Sequence, residues 1–415
     1  MSVTLRWVGE DERDRVAQTR MLCYASARTE LADYIDRLRK DVRSRPGDWL
    51  LAERGGEAVG TATSIPMTMW VRGGSVSCQG VAHVGTIKTQ RRRSSAADAS
   101  GVPGIATLVM NETLRAARER GFVVSALMPF RGSFYEHFGY GFVERQASWT
   151  IPMAAFAPGD SFDELRFYRP GDFDALVSFK QRLAERGHGD IERSAALWKQ
   201  YAEKADSGHM IVERSGDGPI RGFAFFEQSH DKHLDTVNVV ESLYEDIPAL
   251  RRILAFLGSL RDQYSFATIL LPADLRLNWL LGETQMTHRG NRNHATAEVR
   301  PFTRMQVRVL DHAKLLAGMK LPADRSGKVV VAIRECEGNV TKLAIETADG
   351  KASATPSDAS ADVEMTDRVW AAVVFGDLPA TRAAEMGLVS VTSRAPLAVL
   401  DAFAAGPAPF CREYF

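Results

Sequence analysis

The sequence predicts an α+β protein in three parts: two tandem mixed-sheet domains followed by a smaller C-terminal α+β domain. Three observations carry this. At 415 residues the chain is too long for one core. Strand-like and helix-like stretches alternate through the first 150 residues, and the same order restarts near Leu165. The last hundred residues change style, to strands around a tight hairpin turn followed by helices. Domain boundaries are expected at residues 1–155, 156–305 and 306–415.

In the first part, residues 3–8 read as a strand, and residues 10–27 and 30–43 as helices, the second stopped by Pro46-Gly47. Residues 49–53 and 57–64 form a hairpin across Arg54-Gly55-Gly56, and 67–71 continue the sheet. Arg72-Gly73-Gly74-Ser75 turns the chain into a long strand over 76–87. Residues 105–120 are helical, with Ile105, Leu108 and Val109 on one apolar face and Gly121 as the stop. Residues 122–128 read as a buried strand.

In the second part, Leu165-Arg166-Phe167-Tyr168 with Asp172 echoes Leu5-Arg6-Trp7-Val8 with Asp11. A strand over 210–213, a hairpin at Gly216-Asp217-Gly218, strands to 240, a helix over 247–261 and a strand over 266–271 follow. No arginine-rich turn recurs there, so this copy is expected to be catalytically empty. In the third part, strands over 328–334 and 340–347 lead into the turn Ala348-Asp349-Gly350-Lys351. Residues 353–361 read as a loop, and 367–375 and 396–405 as helices.

Composition excludes several classes. The chain carries 52 basic and 52 acidic residues, so no global field draws it to nucleic acid or an anionic membrane. Cys23, Cys78, Cys336 and Cys411 are far apart, without CxxC or metal spacing, and read as free thiols of a cytoplasmic protein with no metal. The N-terminus lacks an apolar signal region, and no run approaches the ~18 apolar residues of a membrane span. Neither a Ser-His-Asp order nor HExxH occurs, which leaves hydrolase chemistry without support.

The chemistry lies in a broken run. Gln90-Arg91-Arg92-Arg93 ends one strand, and Gly104-Ile105-Ala106-Thr107 opens the next helix. Without residues 94–103 the chain would read QRRRGIAT. Unpaired N–H groups at a helix start cradle phosphate, and arginines neutralise what charge remains. The preceding strand, with Val84, Gly85 and Thr86, is placed to pair its backbone with a pantetheine arm and to polarise a thioester carbonyl. This is what acetyl-coenzyme A requires as co-substrate. Phe130 and Arg131, after the next strand, are placed to line it. Tyr135, protonated at neutral pH, is the candidate acid for the departing thiolate. Phe134, Phe138, Tyr140 and Phe142 read as core. His83 is either a substrate contact or a hydrogen-bonded sheet residue, and His137 a surface group.

On these motifs the chain resembles the GNAT acyltransferase superfamily, and more narrowly the enhanced-intracellular-survival (Eis) family of aminoglycoside and lysine N-acetyltransferases. The signature RRR-G-[IL]-[AL] falls on Arg91, Arg92, Arg93, Gly104, Ile105 and Ala106, and [FI]-Y-x-x-F-G-Y-G on residues 134–141. The resemblance implies two GNAT domains, the second degenerate, and a sterol-carrier-like domain. It implies Tyr135 as general acid and the α-carboxylate of the terminal Phe415 as base. It also implies a homo-oligomer, a hexamer in the family, acting on a small-molecule or lysine amine. Two departures stand out. The family's cofactor turn is uninterrupted, whereas residues 94–103 intervene here; an open Ser/Ala/Gly loop costs little closure entropy, so it is expected to loop out. His83 stands where relatives often carry an aromatic residue. The alternatives are a ligand-sensing or scaffolding protein whose cofactor site the insertion disables, and a lipid carrier, against which the polar strand residues Thr341, Lys342, Glu346 and Thr347 argue.

Overall fold

The computed structural model describes residues 2–25, 30–91, 103–157, 161–205, 209–231, 234–286 and 295–415. The chain forms two compact units. The first comprises Met1–Val143, Met305–Gly406 and Glu413–Phe415, and the second Glu144–Arg304 and Pro407–Arg412.

The first unit opens with strand β1 (Val3–Val8), a 3-10 turn at Glu10–Glu12 and helices α1 (Arg13–Tyr24) and α2 (Leu31–Lys40). The sequence expects the first helix to run from 10 to 27; its α-helical part is shorter at both ends. α2 starts where Glu30 and Asp33 cap each other's backbone. Strands β2 (Trp49–Arg54), β3 (Glu57–Val71) and β4 (Gly74–Thr86) then form an antiparallel meander with β1. Helix α3 (Ile105–Glu119), strand β5 (Val124–Leu127), the short helix α4 (Gly132–Glu136) and strand β6 (Gly141–Phe142) follow. The two faces of β2 explain its unbroken apolar run. Leu50 and Ala52 join the cluster of Ile105 and Val109 from α3, while Trp49 and Leu51 join Val16, Ala17 and Leu38 from α1 and α2.

The sheet runs in the order β1, β2, β3, β4, β5, then the strand Gln306–Val309, then β6. β4 and β5 are parallel, yet they pair only over Cys78–Gly80 and Val124–Ala126. Beyond Gly80, β4 runs on to Thr86 without β5, so the sheet forks. The strand Gln306–Val309, which the sequence does not single out, pairs antiparallel with the whole of β5 and with β6.

The C-terminal sheet, also in the first unit, has the order Lys351–Pro356, Val340–Ala348, Gly327–Arg334, Val363–Thr366 and Ser390–Val391. The expected loop over 353–361 is corrected here, because Lys351–Pro356 is a strand paired with Val340–Ala348. Its inward residues are the small Ala352 and Ala354, both buried, which give a weak sequence signal. Trp370, Phe375 and Phe403 are fully buried in this region. Helix Asp367–Val374 lies against the first sheet: a methyl placed on Gly141 would meet Arg368 O at 2.0 Å.

In the second unit the strands run Glu298–Thr303, Arg145–Pro152, Phe266–Pro272, Leu234–Tyr244, Gly222–Asp231, Met210–Glu213 and Leu165–Phe167. Leu234–Tyr244 and Phe266–Pro272 are parallel, with helix Ile247–Ser259 between them, as β4 and β5 flank α3. The internal echo is real but offset. Arg166 bonds Asp172 six residues on, at 2.6 Å, and its counterpart Arg6 bonds Glu12, also six residues on, at 2.5 Å, rather than Asp11.

Candidate functional site

The fork between β4 and β5 organises the site. Register between β3 and β4 slips after Thr61, which leaves an extra residue on β4. There His83 takes φ of +54°, a left-handed conformation costly for a residue with a Cβ. The bulge breaks the ladder at His83 and Val84, and pairing resumes at Gly85 and Thr86, opposite Thr61 and Gly60. Tyr24, at the end of α1, donates its hydroxyl to Val84 O. Gly85 is needed for that packing, since a methyl there would come within 2.9 Å of Cys23 Sγ and the Tyr24 hydroxyl. Arg91 donates from Nε to Thr86 O at 3.1 Å and from Nη2 to Cys23 O at 2.8 Å, tying the end of β4 to α1. Tyr24 and this tie were not legible in the sequence; no motif marks them.

α3 begins at Gly104, whose carbonyl takes the first intrahelical bond, from Leu108. The N–H groups of Ile105, Ala106 and Thr107 precede that bond, and no side chain caps them. A methyl on Gly104 would meet nothing within 4 Å among the described residues, so the glycine is not demanded by packing against them. Ile105 turns its side chain into the core, against Gly60, and offers a ligand only its backbone. A cavity of about 440 Å³ adjoins the first turns of the helix, lined by Thr107 and Asn111 of α3, by Phe134, His137 and Phe138 around α4, and by Arg308, Cys336 and Glu337. Arg92, Arg93 and residues 94–102 of the insertion lie outside the described residues.

Tyr135 sits on α4, buried, in the same cluster as Val81 and Val84 of β4 and Leu127 of β5. Burial pushes its pKa up to about 12, and its hydroxyl takes no partner among the described residues. Phe130 stands 5.9 Å from the Tyr135 ring, edge-on, and is 76% exposed, an apolar surface with no protein cover. Arg131 donates to Ser133 Oγ at 3.3 Å. Phe415 lies at the base of the fork: a methyl on Gly80, the last β4 residue paired with β5, would meet its ring at 3.2 Å. Tyr140 is core, as expected, and hydrogen-bonds Ser125 Oγ at 2.6 Å. His137 is exposed and bonds Ser133 O.

The second unit differs at the corresponding place. Its helix Ile247–Ser259 has Pro248 in the first turn and Asp246 as N-cap, whose carboxylate accepts from Ala249 N–H at 2.9 Å and pairs with Arg221. The helix start thus already holds an anion of its own. Elsewhere, Cys336, Glu337 and Asp367 lie within 4.8 Å of one another, but Arg308 bonds both Cys336 Sγ and Glu337 and supplies the positive charge there.

The comparisons with known proteins follow this geometry. A profile described as Acetyltransferase (GNAT) domain matches residues 4–143, a second of the same description matches 189–309, and one described as Sterol carrier protein domain matches 313–412. The chain is similar to an uncharacterized N-acetyltransferase of Streptomyces avermitilis, 24% identical over 89% of both chains. It is also similar to N-acetyltransferase Eis of Mycobacterium tuberculosis, 26% identical over 86% of this chain and 85% of that one. Among solved structures, a GCN5-related N-acetyltransferase from Anabaena variabilis matches with a TM-score of 0.82 at 17% identity, and Eis1 from Mycobacterium abscessus with 0.77 at 20%, each over all of both chains. At these identities the structural likeness speaks for the fold.

Proposed function

The chain belongs to the GNAT acetyltransferases, on the tandem plan of the Eis family, and from that premise we propose that its first domain transfers acetyl from acetyl-coenzyme A directly to a primary amine. The observation that carries this is the uncapped start of α3 beside the fork in which Tyr135 sits. The N–H groups of Ile105, Ala106 and Thr107, with Arg91, Arg92 and Arg93, would hold the pyrophosphate. Val84, Gly85 and Thr86 would pair with the pantetheine arm, and Phe130 and Arg131 would cover it. The co-substrate supplies the activated acetyl group. The new C–N bond forms as the C–S bond breaks; Tyr135 gives its proton to the leaving sulfur, and the Phe415 carboxylate takes one from the amine.

The described residues fit that group: among them no side chain caps the helix start or crowds Gly104. The helix Ile247–Ser259, filled by Asp246, supports a second domain that does not bind the co-substrate. A cytoplasmic location is proposed from the four free thiols, and a homo-oligomer, up to a hexamer, on the resemblance alone. The amine is proposed to belong to a small molecule or a lysine side chain.

Thiol release with acetyl-coenzyme A tests the assignment. Tyr135→Phe and removal of Phe415 are each expected to cut kcat by about a hundredfold or more, the usual range for a positioned acid or base. Wild-type turnover in both variants overturns it.

A further inference from the structure

The fold buries a positive charge beside the β4 bulge and, among the described residues, bonds no acid to it. Arg20, on α1, is only 4% exposed. Its Nη2 donates to Thr63 Oγ1 at 2.7 Å, and its Nε is buried with no partner. Among the described residues no carboxylate pairs with it. Asp41, the acid whose charge acts on it, bonds Arg43 N–H and the Ser44 hydroxyl instead, at 2.9 and 2.6 Å. Buried guanidinium groups are ordinarily matched by an anion, because desolvating the charge is otherwise expensive. Burial lowers the Arg20 pKa to about 10, which still leaves it charged at neutral pH.

A hydroxyl relays that charge outward. The Thr63 hydroxyl, which accepts from Arg20, also lies 3.3 Å from His83 Nδ1 and donates to it in the tautomer that carries its proton on Nε2. With Nδ1 accepting, the proton of the neutral ring lies on Nε2. Crowding by protein, and then the charge of Arg20, hold the His83 pKa below the usual histidine range, although the residue is exposed. His83 therefore presents an N–H donor backed by a buried cation, on the bulge that adjoins Val84. Such a group attracts an oxygen anion and repels an ammonium. Asp41 opposes Arg20 at His83, but its influence there is the smaller and does not reverse the field. Asp33 accepts the Glu30 N–H, and Asp36 pairs with Lys40 at 2.7 Å.

We propose that the acceptor carries a carboxylate near its reactive amine, received by His83 in the field of Arg20. The acceptor is then an amino acid or a chain end with a free acid, rather than a simple polyamine. This deepens the acetyltransferase assignment of the site and rests on it.

Thiol release on amine pairs that differ only in the carboxylate tests it: L-lysine against cadaverine, and L-ornithine against putrescine. Wild-type protein is expected to prefer the acid-bearing member about tenfold or more in kcat/KM, ~1.4 kcal/mol, chiefly through KM. Arg20→Met should bring that ratio toward one, and Arg20→Lys, which keeps a charge, should retain part of it. Equal or faster transfer by wild type to the decarboxylated member of both pairs overturns the inference and leaves the acetyltransferase assignment standing. No heat with acetyl-coenzyme A and no transfer to any of the four amines overturns the assignment of the site, and the inference with it.

Discussion

At the scale of single residues, side chains act here through what surrounds them. Tyr135 and Tyr140 belong to one motif, yet Tyr140 is locked to Ser125 while the Tyr135 hydroxyl has no partner among the described residues. That split was legible in the sequence from motif position alone. Glu144, in the second unit, was not. It is fully buried, accepts from Gln146 Nε2 and Cys411 N–H, both at 2.5 Å, and leaves its other oxygen unpaired. Burial pushes its pKa up to about 7, against those two bonds. Because the folded value lies above the ~4.3 of an unfolded glutamate, the fold favours the protonated form. Stability should therefore fall as pH rises from about 4.3 to about 7 and level off above that. Thermal melts at pH 5 and pH 8 check this. Glu144→Gln, which keeps an uncharged carboxamide there, is expected to lose less on going to pH 8 than the wild type; parallel losses would show that the Glu144 charge is not the cause.

At the scale of elements, two helices in equivalent places have opposite starts. α3 opens on Gly104 with bare N–H groups, whereas Ile247–Ser259 opens on Asp246 and Pro248. The difference is physical: on the proposed reading one start receives an anion, whereas the other carries one covalently on the chain. Calorimetry with acetyl-coenzyme A is expected to titrate to one site per chain, and two equivalent sites would refute the distinction. The tripeptide Asp246-Ile247-Pro248 is a readable helix-start signal, and it marks the second domain as filled better than a missing arginine turn does. The strand Lys351–Pro356 shows the converse, since its Ser/Ala composition reads as a loop and only its partner strand makes it extended.

At the scale of the whole molecule, the first unit is assembled from distant stretches of chain. Arg308, on the strand Gln306–Val309, is 1% exposed and bonds Phe138 O at 2.6 Å and both Glu337 oxygens at 2.7 and 2.6 Å. Arg368 pairs with Glu136 at 2.8 Å. Both hold the segment that carries Tyr135 to the C-terminal domain. Arg308→Met is expected to destabilise the first unit by about 3 kcal/mol, because it strips a buried carbonyl and an acidic cluster of their donor. Chemical denaturation measures this, and a loss within error of zero would show that the link is dispensable. Local pattern alone determined the tandem α+β plan, the helix behind Gly104 and the candidacy of Tyr135, because periodicity and turn chemistry are written in neighbouring residues. Tertiary structure alone decided that β4 parts from β5 after Gly80, that the strand Gln306–Val309 joins the first sheet, that Phe415 rests against Gly80, and that Arg20 lies buried with no acid bonded to it among the described residues. Each of those depends on groups brought together from far along the chain, and no local periodicity encodes such an encounter.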